Sequence, residues 1–223
     1  MRILCDFDGT ITSKDTTDEV LAALADPKWE TLEALWLAGR ITAAECMRRQ
    51  IALVRAPDAA LDAVLDAVEL DPGFSAFVRW CAAHGFPLSI VSDGVDYFID
   101  RILARHGLAG LPAIANHLVG RGARRRLKQP WIREGCAAGS GVCKCAAARD
   151  EGAGRRTLVF VGDGRSDFCV SALADILFAK GALAAYAADR GQAFIPFETF
   201  DDVTAALSRL VADRPAPEAA VAL

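Results

Sequence analysis

Three short, largely apolar runs in this chain each end abruptly in a polar signature, and this limits the available folds more than any other feature. Ile3-Leu4-Cys5 runs into Asp6-Phe7-Asp8-Gly9-Thr10, Leu88-Ser89-Ile90-Val91 into Ser92-Asp93-Gly94, and Thr157-Leu158-Val159-Phe160-Val161 into Gly162-Asp163-Gly164-Arg165-Ser166-Asp167. Runs of this kind read as buried strands of a parallel sheet, and ligands of open α/β sheets collect at the carboxyl ends of the strands. Asp6 and Asp8 alternate along the chain and share a face, with Phe7 turned the other way into apolar packing. Taken alone, Asp-x-Asp-Gly reads equally well as a strand end followed by a turn. Three such ends on one sheet edge converge on one crevice.

Between the first and second runs the period becomes helical. Asp15 to Ala25 carries Val20, Leu21 and Leu24 on one stripe. Asp26-Pro27 then reads as N-cap and first position of a second helix that includes Trp29, Leu32 and Trp36 and stops at Gly39. Thr42-Ala43-Ala44-Glu45 reads as a capping box opening a third, through Met47, Ile51 and Val54, and Leu61, Val64, Leu65 and Val68 mark a fourth. Four short amphipathic helices suggest a small bundle, residues 13–72, inserted into an α/β domain of residues 1–12 and 73–212. In that domain helices are expected near Phe74 to Cys81, Phe98 to Leu103, Val142, Leu173 and Asp201 to Val211. Further strands are expected at Ala113 to Val119, leading into a hairpin, and at Ile176 to Ala179. Gln129 to Ser140 reads as loop and 213–223 as a frayed tail.

A chain of 223 residues with 53% hydrophobic content can bury a sizeable core. Its formal charge of -4 offers no general attraction to nucleic acid or an anionic membrane surface. The first strand begins within three residues of Met1, and no apolar run reaches the ~18 residues of a membrane span. The expectation is a soluble cytoplasmic protein with neither nucleic acid nor membrane as partner. Seven cysteines is an odd number, and Cys5, Cys81 and Cys169 lie in apolar surroundings, so a disulfide framework is not expected. Cys136, Cys143 and Cys145 do not match an ordinary zinc spacing and lack a clear fourth ligand. The run Arg121, Arg124, Arg125, Arg126 and Lys128 reads as a solvated hairpin.

Gathering Asp6, Asp8, Asp163 and Asp167 in one crevice is costly, since like charges about 4 Å apart repel by roughly 4 kcal/mol at an effective dielectric near 20. A hard cation offsets this, and carboxylate and carbonyl oxygens without His or Cys suit Mg²⁺. Ser92 and Lys144 add a hydroxyl donor and a positive charge for a phosphoryl oxygen.

Asp6-Phe7-Asp8-Gly9-Thr10, Ser92, Lys144 and Gly162-Asp163-Gly164-Arg165-Ser166-Asp167 resemble, in order, the four motifs of the haloacid-dehalogenase superfamily. The resemblance implies a Rossmannoid parallel sheet flanked by helices, with an inserted helical cap of the C1 type. It also implies roles: Asp6 as nucleophile forming a phosphoaspartate, and Asp8 as the group that protonates the leaving oxygen and later activates water. Mg²⁺ would be held by Asp6, Asp163 and the Asp8 carbonyl, with Asp167 a further metal-site residue. Thr10 and Gly94 belong to the phosphate-binding set that the motifs imply. An acid two residues after the nucleophile points to phosphomonoester hydrolysis.

The position of the helical insertion is similar to that in the phosphoserine phosphatase-like branch. Cys5 to Thr12, Gly39-Arg40-Ile41-Thr42, Ser92 to Phe98, Cys143-Lys144 and Pro196 to Phe200 most resemble the methionine-salvage phosphatases acting on 2-hydroxy-3-keto-5-methylthiopentenyl-1-phosphate. Phosphoserine, phosphocholine and phosphoethanolamine are alternative substrates, and a silent phosphate-binding or regulatory protein is an alternative class. By analogy with phosphoserine phosphatases, Asp15 and Arg48 or Arg49 are the expected substrate-gripping residues of the cap. The chain departs from its relatives at Asp93, where they often carry glycine. That side chain either points away from the phosphate or tunes the pocket toward a cationic substrate.

Overall fold

Alternate residues of the first strand go to opposite faces of a sheet, and each face acquires its own apolar cluster. The computed structural model describes residues 1–149 and 156–212; the tail expected over 213–223 lies outside them. Ile3, Cys5 and Phe7 pack with Phe77, Ile102 and Phe200 on one face, while Leu4 packs with Phe160, Val142 and Leu183 on the other. Phe7 is fully buried, which contributes about 2 kcal/mol and fixes the turn that carries Asp6 and Asp8.

The sheet has seven strands in the order β4-β3-β2-β1-β5-β6-β7. They are β1 (Arg2–Cys5), β2 (Leu88–Val95), β3 (Ala113–Val119), β4 (Arg126–Lys128), β5 (Leu158–Gly162), β6 (Ile176–Ala179) and β7 (Ile195–Pro196). All pairings are parallel except β3 with the edge strand β4. β1 lies between β2 and β5, so the three polar strand ends are neighbours and the chain changes direction at the middle one. β2 continues past Val91 to Val95 with a register shift against β3, which takes Ser92 and Gly94 into the strand itself.

Four helices follow β1: α1 (Thr16–Leu24), α2 (Trp29–Leu37), α3 (Ala43–Ile51) and α4 (Asp58–Asp66). α2 packs on α3, α1 on α4, α4 also on the helix α6 (Asp96–Arg105), and α3 on β4. Asp15 caps α1 by accepting the Asp18 amide (3.0 Å), and Thr42 caps α3 by accepting that of Glu45 (3.1 Å). The Glu45 carboxylate pairs with Arg49 one turn on, in place of the return half of a capping box. The expected start of the second helix is corrected: Asp26 accepts the Lys28 amide in a turn and α2 begins at Trp29, with Pro27 outside it. Thr12 and Leu70 form an antiparallel bridge where the chain enters and leaves this segment.

The remaining helices are α5 (Phe74–Ala83), α7 (Lys144–Ala148), α8 (Phe168–Ser171), α9 (Gly181–Asp189) and α10 (Phe200–Ala212). α9 and β7 were not expected from sequence. The stretch Gly181-Ala-Leu-Ala-Ala-Tyr is alanine-rich with no apolar stripe, and a two-residue strand has no readable period. The solvated hairpin also needs correction at one residue. Arg125 is buried, and its guanidinium donates to the Val54 and Ala56 carbonyls and to Asp58 (2.6 Å).

Candidate active site

Because Leu4 faces α7, a side chain two residues further on, Asp6, points at the start of that helix. Lys144, its first residue, is 2% exposed and makes three contacts: Asp6 Oδ2 (2.8 Å), Asp167 Oδ1 (2.6 Å) and Ser166 Oγ (2.9 Å). Burial drives the ammonium toward losing its proton, but the charges of Asp167 and Asp6 outweigh it and hold Lys144 above its ordinary pKa. The Asp6 carboxyl is itself pushed well up, by burial first and then by Asp167, with Lys144 acting against both.

The other Asp167 oxygen accepts the amides of Asp163 (3.1 Å) and Gly164 (3.2 Å). Asp163 accepts the Thr10 hydroxyl (2.5 Å), and burial, opposed by that bond, raises its pKa. Carboxylate oxygens of Asp6, Asp163 and Asp167 lie within 4.8 Å of one another. This is a set of hard oxygen donors with more negative charge than Lys144 alone neutralises, and it fits Mg²⁺. Cys136, Cys143 and Cys145 are not in that cluster and are free thiols.

Asp8 accepts the amide of Thr16 at the start of α1 (2.8 Å). Burial pushes its pKa up to about 7, with the Asp15 charge adding and the Thr16 hydrogen bonds subtracting. Ser92 is buried and its hydroxyl accepts the Gly94 amide (2.9 Å). A Cβ at Gly94 would stand 2.5 Å from Asp8 Oδ2 and 2.9 Å from Ser92 Oγ, so glycine is what allows these two groups to approach. Gly9 is similarly constrained, with φ +73° and a Cβ position 2.5 Å from Asp163 Oδ2.

Asp93 lines the pocket and has its carboxylate held by two donors. Its Oδ1 accepts Asn116 Nδ2 (3.1 Å) and the Val142 amide (3.0 Å), tying the end of β2 to the segment two residues before Lys144.

A pocket of about 560 Å³ opens between this sheet edge and helices α1 to α3. Of the residues expected from sequence, Asp6, Asp8, Asp15, Ser92, Gly94 and Asp163 line it. Thr10, Lys144 and Asp167 stand behind that lining: Thr10 bonds the Asp163 carboxylate, Lys144 that of Asp6, and Asp167 accepts from Lys144 and the Asp163 amide. Arg48 and Arg49 are not brought in: both are on the exposed face of α3, Arg49 paired with Glu45. Met47 and Gln50 of the same helix face the pocket instead, together with Asp18, Glu33 and Trp36. The missed signals were a glutamine beside an apolar stripe (Gln50, 4% exposed) and an i, i+3 pair, Glu33 and Trp36, on α2. Arg165 reaches from the β5 loop toward the Trp36 ring, 5.8 Å from its centroid.

Comparison with known proteins agrees with this geometry. The haloacid dehalogenase-like hydrolase family model matches residues 3–171, and the chain belongs to that family. A 2-hydroxy-3-keto-5-methylthiopentenyl-1-phosphate phosphatase of Brevibacillus brevis is 31% identical over 211 residues, covering 93% of this chain and 95% of that protein. The protein of that name from Geobacillus kaustophilus is 33% identical over 214 residues, covering 93% and 96%. Family and relatives together make the chain a phosphatase. Among solved structures, a substrate-bound phosphoserine phosphatase shares the fold with a TM-score of 0.68 at 19% identity over 92% of this chain and 96% of that one. A phosphoserine phosphatase solved as a phospho-aspartyl intermediate analogue gives 0.65 at 19% identity over 93% and 97%. Among the described residues no helix is long and apolar enough to cross a membrane.

Proposed function

We propose that this chain is a Mg²⁺-dependent phosphomonoesterase that hydrolyses a small phosphorylated metabolite through a phosphoaspartate on Asp6. The observation that carries this reading is the buried Lys144 held between Asp6 and Asp167 with the protonatable Asp8 two residues from Asp6. An Asp6 oxygen attacks phosphorus and the ester P–O bond breaks, while Asp8 gives its proton to the leaving oxygen. Asp8 then takes a proton from water, whose oxygen attacks phosphorus; the P–O bond to Asp6 breaks and phosphate leaves. Lys144 and Ser92 hold the phosphoryl oxygens as charge develops on them. Asp6, Asp163, Asp167 and the Asp8 carbonyl would hold Mg²⁺, which when bound supplies Lewis-acid neutralisation of that charge.

In this reading helices α1 to α4, residues 13–72, form a cap on the domain of 1–12 and 73–212. The cap closes over substrate and excludes water. The pocket between the two supports it, as does the Asp8 bond to α1, which places the proton carrier by a cap residue. The names of the relatives make 2-hydroxy-3-keto-5-methylthiopentenyl-1-phosphate the first natural ester to try. Mg²⁺-dependent phosphate release from p-nitrophenyl phosphate, abolished in Asp6→Asn, tests the reading. A silent phosphate-binding protein would give no release from any phosphomonoester.

A further inference from the structure

Ser92 and Lys144, the two groups that hold phosphoryl oxygens in the proposed reaction, come from separate elements, β2 and the start of α7. Their spacing is set where β2 departs from regular pairing. Its register against β3 shifts between Val91 and Val95, and backbone carbonyls at such an irregularity need donors from elsewhere. Asn116, the β3 residue opposite Val95, supplies them. Its side chain is fully buried, and Nδ2 donates to the carbonyls of Asp93 and Gly94 (3.2 Å for Gly94) and to Asp93 Oδ1 (3.1 Å). Three oxygen acceptors on one side settle which end of that amide is the nitrogen. The same Asp93 oxygen accepts the Val142 amide (3.0 Å). Val142 is buried in the apolar cluster of Leu4 and Phe160, so side chain and amide together fix the segment that opens α7. Gly141 leaves room for this arrangement, since a Cβ there would collide with Asn116 Oδ1 and Gln129 Nε2. Burial raises the Asp93 pKa, and the Asn116 and Val142 donors, with the Lys144 charge, oppose it.

We infer that Asp93 is a positioning residue: with Asn116, its carboxylate sets the distance between the Ser92 hydroxyl and Lys144. This rests on the phosphomonoesterase reading and concerns how the phosphoryl oxygens are held, not which ester is taken. Asp93 follows Ser92 directly and Val142 lies two residues before Lys144, so one oxygen joins the two elements close to both groups. Asp6, Asp167 and Ser166 fix the Lys144 ammonium, and the Val142 amide fixes the helix start from which that side chain springs. Groups that meet charge developing at phosphorus act only when held to within about 0.5 Å, and a misplacement of about 1 Å costs ~10²-fold. Removing the Asp93 oxygen leaves a buried amide unpaired and frees the segment to shift.

Two variants separate geometry from charge. Asp93→Asn keeps an oxygen for the Asn116 and Val142 donors and removes the charge, whereas Asp93→Glu keeps the charge and moves the oxygen by one methylene. Each is assayed with Mg²⁺ for kcat and KM on p-nitrophenyl phosphate. Inhibition is measured with orthovanadate, which mimics the five-coordinate phosphoryl group, and with inorganic phosphate, which does not. Asp93→Asn is expected to keep kcat within about threefold of the unaltered enzyme. Asp93→Glu is expected to lose at least about tenfold in kcat, with orthovanadate inhibition weakened by a similar factor and phosphate inhibition by less than about threefold. Partial unfolding alone lowers the amount of active enzyme and leaves both inhibition constants where they were. Asp93→Ala removes the acceptor altogether; it should behave as Asp93→Glu does, and it replaces that variant if the longer side chain prevents folding. A loss in Asp93→Asn as large as that in Asp93→Glu overturns the inference, as does unchanged kcat in both Asp93→Glu and Asp93→Ala. Absence of phosphate release from p-nitrophenyl phosphate by unaltered enzyme overturns the phosphatase reading instead, so the two failures are distinguishable.

Discussion

The two walls of the pocket are built on opposite principles. At the sheet edge the carboxylates are tied into the chain around one lysine: Asp6 and Asp167 to Lys144, Asp163 to the Thr10 hydroxyl, Asp8 to the Thr16 amide. On the helical wall Asp18 and Glu33 have no ion-pair partner among the described residues, and Glu33 accepts only neutral or weak donors such as the Gln50 amide. A matched wall holds its geometry before anything binds, which is what chemistry on a phosphoryl group requires. An unmatched wall costs stability in the empty protein and recovers it only from a ligand, which is how a site distinguishes one substrate from another.

Breaking the matched wall should give the largest effects. Under the proposed mechanism Asp6→Asn removes the attacking oxygen, and phosphate release is expected to fall by ~10³-fold or more in a steady-state assay. Lys144→Met leaves Asp6 and Asp167 buried without a counter-charge. A loss of ~10²-fold in kcat is expected, with destabilisation of about 3 kcal/mol by denaturant unfolding. Gly94→Ala drives a Cβ into Asp8 and Ser92 and should cost roughly tenfold in kcat/KM with a smaller loss of stability.

A pH experiment sharpens the contrast. Burial raises the folded pKa of Asp6 and Asp163, so the folded state keeps protons that the unfolded chain releases. Metal-free protein should therefore lose stability as pH rises from about 4 through those raised values. Mg²⁺ competes with the same protons, so thermal unfolding should show it raising Tm by more near about pH 8 than near about pH 5. The smallest effect is expected from Arg48→Ala and Arg49→Ala, which lie off the pocket. A change in kcat/KM beyond about twofold for the best substrate would show that the helical wall extends further than its lining.

The matched wall was legible in the sequence because parallel topology aligns strand ends. Once Asp6, Ser92 and Asp163 were read as ends of neighbouring strands, their convergence followed from the sheet alone. Lys144 needed the ordered motifs, since a lysine opening a five-residue helix carries no signal of burial. The helical wall was not legible in this way. Periodicity marks the apolar side of α3 but not what that side meets, so Arg48 and Arg49 looked as eligible as Gln50 and Met47. Asp93 was ambiguous because its partners, Asn116 and the Val142 amide, are 23 and 49 residues away and become neighbours only through β3 and the loop before α7. Arg125 sat in a basic run whose other members are solvated, and nothing local distinguishes it from them.

The antiparallel bridge between Thr12 and Leu70 makes the helical segment a closed loop in the topological sense. Directly opposed residues of such a pair stand only about 5 Å apart, so a turn of a few residues could join them and bypass the four helices altogether. The segment therefore leaves and rejoins the rest of the chain at one place, although its Leu21, Ile51 and Leu65 share an apolar cluster with Ile3 of β1 and Phe77 of α5. Its side-chain tethers include two arginines outside it: the Arg125 guanidinium would lose Val54, Ala56 and Asp58 on such an exchange, and that of Arg101 would lose Asp62 and Asp66. A replacement bundle must therefore supply new acceptors for both arginines and a new donor for Asp8, whose carboxylate accepts the Thr16 amide.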